Sequence, residues 1–189
     1  MKLYLTTIGV AMAIIAGVNI GFSTAAWYDI VGAVVLCTAL QFALDGGLAI
    51  LINKLPNAWF RVGHPLYRVS KWERSLYKKL GVKRWKDKVW ELGGLGGFSK
   101  RALTDPSDPA YIERFIIECN KGVVTHRLSY TIGFLVMLIV PGICAFTIAL
   151  PVAVVNLYLN ILPTIVLRHN TPLLESVLHR LKRKREAET

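Results

Sequence analysis

Three long apolar blocks dominate the chain. Leu3 to Gly21 is interrupted only by Thr6, Thr7 and Asn19, and Ile30 to Ile52 carries Gln41 and Asp45 inside it. Both reach the roughly 20 residues that a helix needs to cross a hydrocarbon core about 30 Å thick. The third block, Leu128 to Leu167, has 40 residues. As one helix it would run about 60 Å, twice that thickness. It is therefore predicted to fold back, with Pro141-Gly142 as the natural turn. Only 13 residues, Leu128 to Val140, then remain in the outbound arm. That arm must draw on residues from about Ile116 onward, which brings Glu118, Lys121 and His126 to the membrane boundary. A turn at Leu150-Pro151 is the alternative, and it would leave those residues at the surface.

Composition narrows the class. Hydrophobic residues make up 53% of the 189, charged residues only 19%, and the mean hydropathy is +0.44. These values exclude a disordered chain and an ordinary soluble domain. The net charge of +11 is segregated from the apolar blocks: of 23 Lys and Arg, 16 lie between Asn53 and Arg127, and 6 from Arg168 onward. The remaining one is Lys2, and the loop from Phe22 to Asp29 has none. In a four-span arrangement every basic residue falls on one side, which the positive-inside rule makes cytoplasmic. The expected fold class is an all-α membrane protein with about four transmembrane helices and a cytoplasmic interfacial helical segment. It is organised as two N-terminal spans (1–52), a basic segment (53–127), a membrane hairpin (128–167) and a basic tail (168–189), together one integrated domain. The expected location is the cell membrane, multi-pass, with the termini and the central segment cytoplasmic. Lys2, the first apolar stretch and Ser23-Thr24-Ala25-Ala26 also fit a cleaved signal peptide, but the stretch is longer than a typical h-region and reads as an uncleaved anchor.

In the central segment Trp72, Leu76 and Leu80 form an i, i+4, i+8 row that Trp85 and Val89 continue, surrounded by lysines and arginines. Such a face predicts helices lying in the headgroup plane, with anionic membrane lipids as partners. The same mixture occurs in nucleic-acid binding, but the flanking spans tie this segment to lipid, and no nucleic acid is expected. Glu91 to Arg101 is glycine-rich, lacks both phosphate-binding glycine patterns, and reads as a re-entry loop. At Asp105 to Pro109 a turn leads into a helix, with Asp108 as cap and Pro109 in the first position.

Familiar catalytic motifs (GxSxG, HExxH, twin CxxC, H-x4-D) are absent, and no metal or cofactor is expected. Cys37, Cys119 and Cys144 imply neither a disulfide framework nor a zinc site. The best candidate is Glu118 to His126, where Glu118, Gly122 and His126 share a helical row. Glu118 and His126 are about 12 Å apart along the axis, so they would flank a substrate rather than bond directly. Asp45 and Asn160 each lie about 10 Å inside the cytoplasmic end of their spans. Gln41 shares a face with Asp45, and Asn156 with Asn160, each at i, i+4. With His126 these residues are expected to form a polar cluster. Intramembrane titratable groups are costly and point to function, with helix packing as the structural reading of Asp45 and the asparagines.

Three stretches, Trp72 to Lys88, Phe115 to His126 and Asn156 to Asn170, resemble the glycosyl-4,4'-diaponeurosporenoate acyltransferase family of bacterial integral membrane proteins. The likeness covers about residues 59 to 182. Arg84-Trp85-Lys86 matches the family's basic-Trp-Lys unit. Glu118 and His126 match its Glu-to-His stretch, with Lys121 where Arg is usual. Asn160, Pro163, Arg168 and Asn170 match its Asn-x-x-Pro and Arg-x-Asn patterns. Val123 stands where a second Glu is frequent and Trp90 where Pro is frequent, and Asp45 lies outside the matched region. The resemblance implies transfer of a fatty acyl group from a thioester donor (acyl-CoA or acyl carrier protein) to a hydroxyl of a lipid-linked sugar or similar amphiphilic lipid acceptor. His126 would then be the base and Glu118 its assistant in orienting the acceptor. Trp85, Lys86, Lys121 and Arg168 would hold substrate, and Asn160 or Asn170 would steady the oxyanion; Asp45 is a further expected substrate contact by its place in the polar cluster, not by the resemblance. A non-enzymatic lipid-binding or partner-stabilising membrane subunit is the alternative.

Overall fold

Every regular element in the computed structural model, which describes residues 2–89 and 103–188, is helical. The glycine-rich stretch 91–101 and Trp90 lie outside the described residues. The chain divides into two compact units, residues 1–51 with 125–161, and residues 52–124 with 162–189.

The first unit is built on α1 (Lys2–Phe22) and α2 (Trp27–Lys54). Leu5, Ile14, Val35, Leu36 and Ile50 are exposed on their outer faces. Such surface is costly in water and is what lipid accepts. Trp27 and Tyr28 pair edge-on at the start of α2, 5.8 Å between centroids, in the position that membrane interfaces favour for aromatic residues. The core joins Ile15, Ile30, Val34 and Cys37 to Val136, Ile148, Ala149 and Val152.

Three helices among the described residues are long and apolar enough to cross a bilayer: Tyr4–Phe22, Trp27–Lys54 and Ala145–Ala187. The expected fourth is different. Its arm is α5 (Pro109–Ile132) followed by a 3₁₀ segment, Gly133–Leu138. Glu113, Arg114, Glu118, Lys121 and Arg127 make α5 too polar over most of its length, and the apolar remainder is too short. The turn falls at Pro141-Gly142, where Gly142 takes φ +62°, a left-handed conformation that only glycine adopts cheaply. A π-helical turn, Ala145–Ala149, then leads into α6 (Leu150–Glu188), which contains Pro163 and Pro172. The alternative turn at Leu150-Pro151 is not used: Pro151 sits in the first turn of α6, where its missing N–H costs little.

In the second unit Asp108 caps α5, accepting from the Ala110 and Tyr111 amides at 3.1 and 3.0 Å. The stripe Ile112, Ile116, Cys119 and Val123 of α5 packs on Leu167, Leu174 and Leu178 of α6. Ser70 caps α3 (Lys71–Lys79) through the Glu73 amide at 3.1 Å. Gly81, at φ +62°, ends that run and opens α4 (Val82–Trp85) in a new direction. The predicted aromatic row is therefore broken. Trp72 is 72% exposed and Leu80 is also exposed. Trp85 instead packs on Val69, Tyr77 and Val82, and its indole donates to the Leu80 carbonyl at 3.1 Å.

Candidate active site

Within the first unit, α2, α5 and α6 bring Gln41, Asp45, His126, Asn156 and Asn160 into one hydrogen-bonded chain. Gly133, beyond the end of α5, presents a backbone carbonyl that can only accept. Gln41 Nε2 donates to it at 2.7 Å, which turns Gln41 Oε1 toward Asn156. Asn156 Nδ2 donates to that oxygen at 3.0 Å, so Asn156 Oδ1 faces the next turn of α6. There it accepts from Asn160 Nδ2 at 2.9 Å. Asn160 Nδ2 also meets the Asn156 carbonyl at 3.0 Å and Asp45 Oδ2 at 3.2 Å. With its amide nitrogen committed to three acceptors, Asn160 shows only its oxygen to His126.

His126 Nδ1 lies 2.8 Å from Asn160 Oδ1. Because that oxygen only accepts, Nδ1 must carry the proton, and the lone pair of the neutral ring is on Nε2. One backbone carbonyl thus sets a histidine tautomer through three side-chain amides. Asp45 contributes a second feature: its Oδ1 is buried and has no hydrogen-bond partner among the described residues. A buried acceptor without a donor is costly.

Gly133 is part of the construction. A Cβ there would lie 2.8 Å from Gln41 Oε1 and 2.9 Å from Asn156 Nδ2. Glycine lets the chain's two central amides sit against the backbone.

The second unit holds a different constellation. Arg168, 5% exposed, forks onto the Glu73 carboxylate through Nε and Nη2, the latter at 2.6 Å. It also donates to the carbonyls of Tyr67 and Arg68 at 3.5 and 3.2 Å. The Tyr77 hydroxyl donates to the same carboxylate. Burial pushes the Glu73 carboxyl up, but the hydrogen bonds from Arg168 and Tyr77 and the guanidinium charge outweigh it. The net result holds Glu73 below its ordinary value. Burial and the carboxylate contact raise the Tyr77 phenol. Lys86 Nζ approaches Asn170 Oδ1 at 3.4 Å, and Lys121 pairs with Glu118 at 3.4 Å.

The structure therefore brings together the five polar residues expected to cluster, and it places Lys86 beside Asn170. Glu118 is engaged with Lys121 and belongs to the second unit, His126 to the first. Arg168, expected at a substrate phosphate, has its donors turned onto a carboxylate and two carbonyls. The amide nitrogen of Asn160, expected at an oxyanion, serves the chain that orients His126. Sequence reasoning passed over Glu73, Tyr77 and Gly133. The Ser70-x-x-Glu73 capping pattern was the available sign that Glu73 occupies a fixed place. Nothing local marked Gly133.

No curated protein and no solved structure is matched by this chain. The sequence model described as glycosyl-4,4'-diaponeurosporenoate acyltransferase, however, matches residues 56–180, a stretch that takes in His126, Asn156, Asn160, Glu73 and Arg168 but not Gln41 or Asp45. By that match the chain belongs to the glycosyl-4,4'-diaponeurosporenoate acyltransferase family.

Proposed function

We propose that this protein is a membrane acyltransferase that moves a fatty acyl group from a thioester donor to a hydroxyl of a lipid-linked sugar or similar amphiphile, with His126 as general base. The observation that carries the proposal is the 2.8 Å contact of His126 Nδ1 with Asn160 Oδ1. A base must present an unprotonated nitrogen, and the amide chain leaves that nitrogen at Nε2. His126 Nε2 takes the acceptor hydroxyl's proton as its oxygen attacks the thioester carbonyl. The tetrahedral intermediate collapses by breaking the C–S bond, and the proton passes from His126 to the departing thiolate. The products are an ester and a free thiol.

Asn160 acts through the base: it orients His126 and stabilises the imidazolium that forms. A neighbouring sugar hydroxyl donates to Asp45 Oδ1, which supplies the partner that this buried oxygen lacks. In the second unit Lys86, held by Asn170 and adjoining Trp85, is the cation for a donor phosphate. Arg168 fixes Glu73 and the Tyr67–Arg68 backbone, and Lys121 steadies Glu118. The one-sided distribution of Lys and Arg supports a cytoplasmic placement of residues 53–127 and of the tail, where acyl thioesters are made. A hairpin that reverses at Pro141-Gly142 keeps both on one side.

The test is His126→Gln in purified protein reconstituted in lipid, given acyl thioesters and a glycolipid mixture, with products followed by mass. Glutamine retains a polar partner for Asn160, so folding should persist while transfer falls by about 10²- to 10⁴-fold, the usual contribution of a general base. Near-normal turnover would remove His126 from the chemistry. No turnover by the unaltered protein with any thioester would favour the binding-subunit alternative, in which the amide chain serves as interhelical packing.

A further inference from the structure

A cavity that is open along one side lies in the first unit between α1, α2 and the start of α6. Its two ends differ. Tyr4, Gln41, Asp45 and Asn156 line one end, which is where the amide chain runs. At the other end are Ile15, Val152 and Thr38. Ile15 and Val152 belong to the packed core that closes it. The Thr38 hydroxyl is spent on the Val34 carbonyl at 2.8 Å, so this end offers no polar group in need of a partner. Along α2 the cavity extends seven residues, Asp45 back to Thr38, and along α1 eleven, Tyr4 to Ile15. At about 1.5 Å per residue these spans are about 10 and 16 Å.

We infer that this cavity seats a single unbranched fatty acyl chain, with its carbonyl at the Asp45 end and its methyl end against Ile15 and Val152, and that its depth selects the chain length. The inference rests on the acyl-transfer reading and deepens it. Two observations carry it. The walls are apolar and one end is polar, which orients an amphiphile in one sense. The depth is about half the thickness of a hydrocarbon core of about 30 Å, too short for a long polyene and suited to one acyl chain of medium length. The carbonyl of a chain seated this way stands at the end where the amide chain runs.

Two substitutions away from the amide chain test the inference in opposite senses. Ala11→Phe adds bulk to the side wall, and Ile15→Ala opens the closed end by three carbons. With an equimolar ladder of acyl thioesters, the product profile should move to shorter chains in Ala11→Phe. It should move to longer chains in Ile15→Ala by about three carbons, the size of the deletion. The readout is a ratio among products, so partial loss of activity does not disturb it. Independently, an acyl thioester bearing a diazirine on its terminal carbon should label the turns around Ile15 and Val152, and unlabelled thioester should compete. A phospholipid bearing the same group should not label there. An unchanged profile in both variants, or labelling by the phospholipid alone, overturns the inference. Competed labelling at Ile15 without transfer by the unaltered protein would uphold the chain site and sink the acyl-transfer reading.

Discussion

Gly133→Ala is a test of the amide chain that touches neither His126 nor any group placed at the substrate. The added methyl would lie 2.8 Å from Gln41 Oε1, 2.9 Å from Asn156 Nδ2 and 3.3 Å from Gln41 Nε2. Carbon cannot remain at the first two distances. Both side chains are anchored at their far ends, Gln41 to the Gly133 carbonyl and Asn156 to Asn160, so neither can withdraw without losing a buried bond. Overpacking of this kind costs about 1–3 kcal/mol. The effect on rate follows from the hydrogen bond that is lost. Interhelical hydrogen bonds in membranes average about 0.6 kcal/mol and reach about 1.7. Removing that much preference for the Nδ1-protonated ring lowers turnover by about 3- to 18-fold, using RT of about 0.59 kcal/mol. This is well short of the loss expected from His126→Gln, because Asp45 still holds Asn160 from its other side. The decisive measurement is a double-mutant cycle of Gly133→Ala with Gln41→Ala, read in both stability and turnover. Because part of the clash acts through Gln41, Gly133→Ala should cost less once Gln41 has been truncated, the Asn156 contact remaining. Strictly additive losses would refute the reasoning.

Four further predictions concern the second unit. Arg168→Leu strands the Glu73 carboxylate among buried neighbours and should cost about 3 kcal/mol, the low end for breaking a buried pair because Glu73 keeps some solvent contact; thermal denaturation in detergent reads it. Since Glu73 is held below its ordinary value when folded, its contribution is present above about pH 4 and is lost as pH falls through the lowered value. Glu73→Gln should flatten that acid limb in a pH series of unfolding midpoints. Trp72→Ser should loosen α3 from vesicles, measured as faster proteolysis between residues 71 and 89. Trp85→Ser should instead lower stability, because Trp85 packs on Val69, Tyr77 and Val82.

The parts of this structure that could be read in the sequence were those written at short range. The pairs Gln41 with Asp45 and Asn156 with Asn160 stand out because polar residues four apart in an apolar helix must find partners. Asp108-Pro109 and Pro141-Gly142 declare a cap and a turn by their own chemistry. The expected fourth span needed residues from about Ile116 onward to make up its length. In the structure the charges of α5 and the 3₁₀ segment after it divide that arm. The phase of the Trp72 row was extended through Gly81, whose left-handed backbone resets it. Arg168 meeting Glu73, or Gln41 meeting the Gly133 carbonyl, depends on partners more than 90 positions away. No periodicity records such a meeting, and a glycine that matters for what lies against it looks like any other.

The chain of amides has a direction, and that inverts the usual ranking of substitutions. Asn156→Asp or Gln41→Glu changes scarcely an atom's position, yet each replaces a donor by an acceptor and sets two oxygens face to face. By size these are the mildest exchanges available; here they are parity errors, since every link downstream would have to be reversed to restore agreement. A shorter or apolar side chain breaks the sequence of bonds but leaves the remaining links correctly oriented. Variation at Gln41, Asn156 and Asn160 should therefore come as coordinated changes across helices, or not at all, whereas an apolar exchange in the cavity walls a turn away would alter which chain fits and leave the amide chain intact.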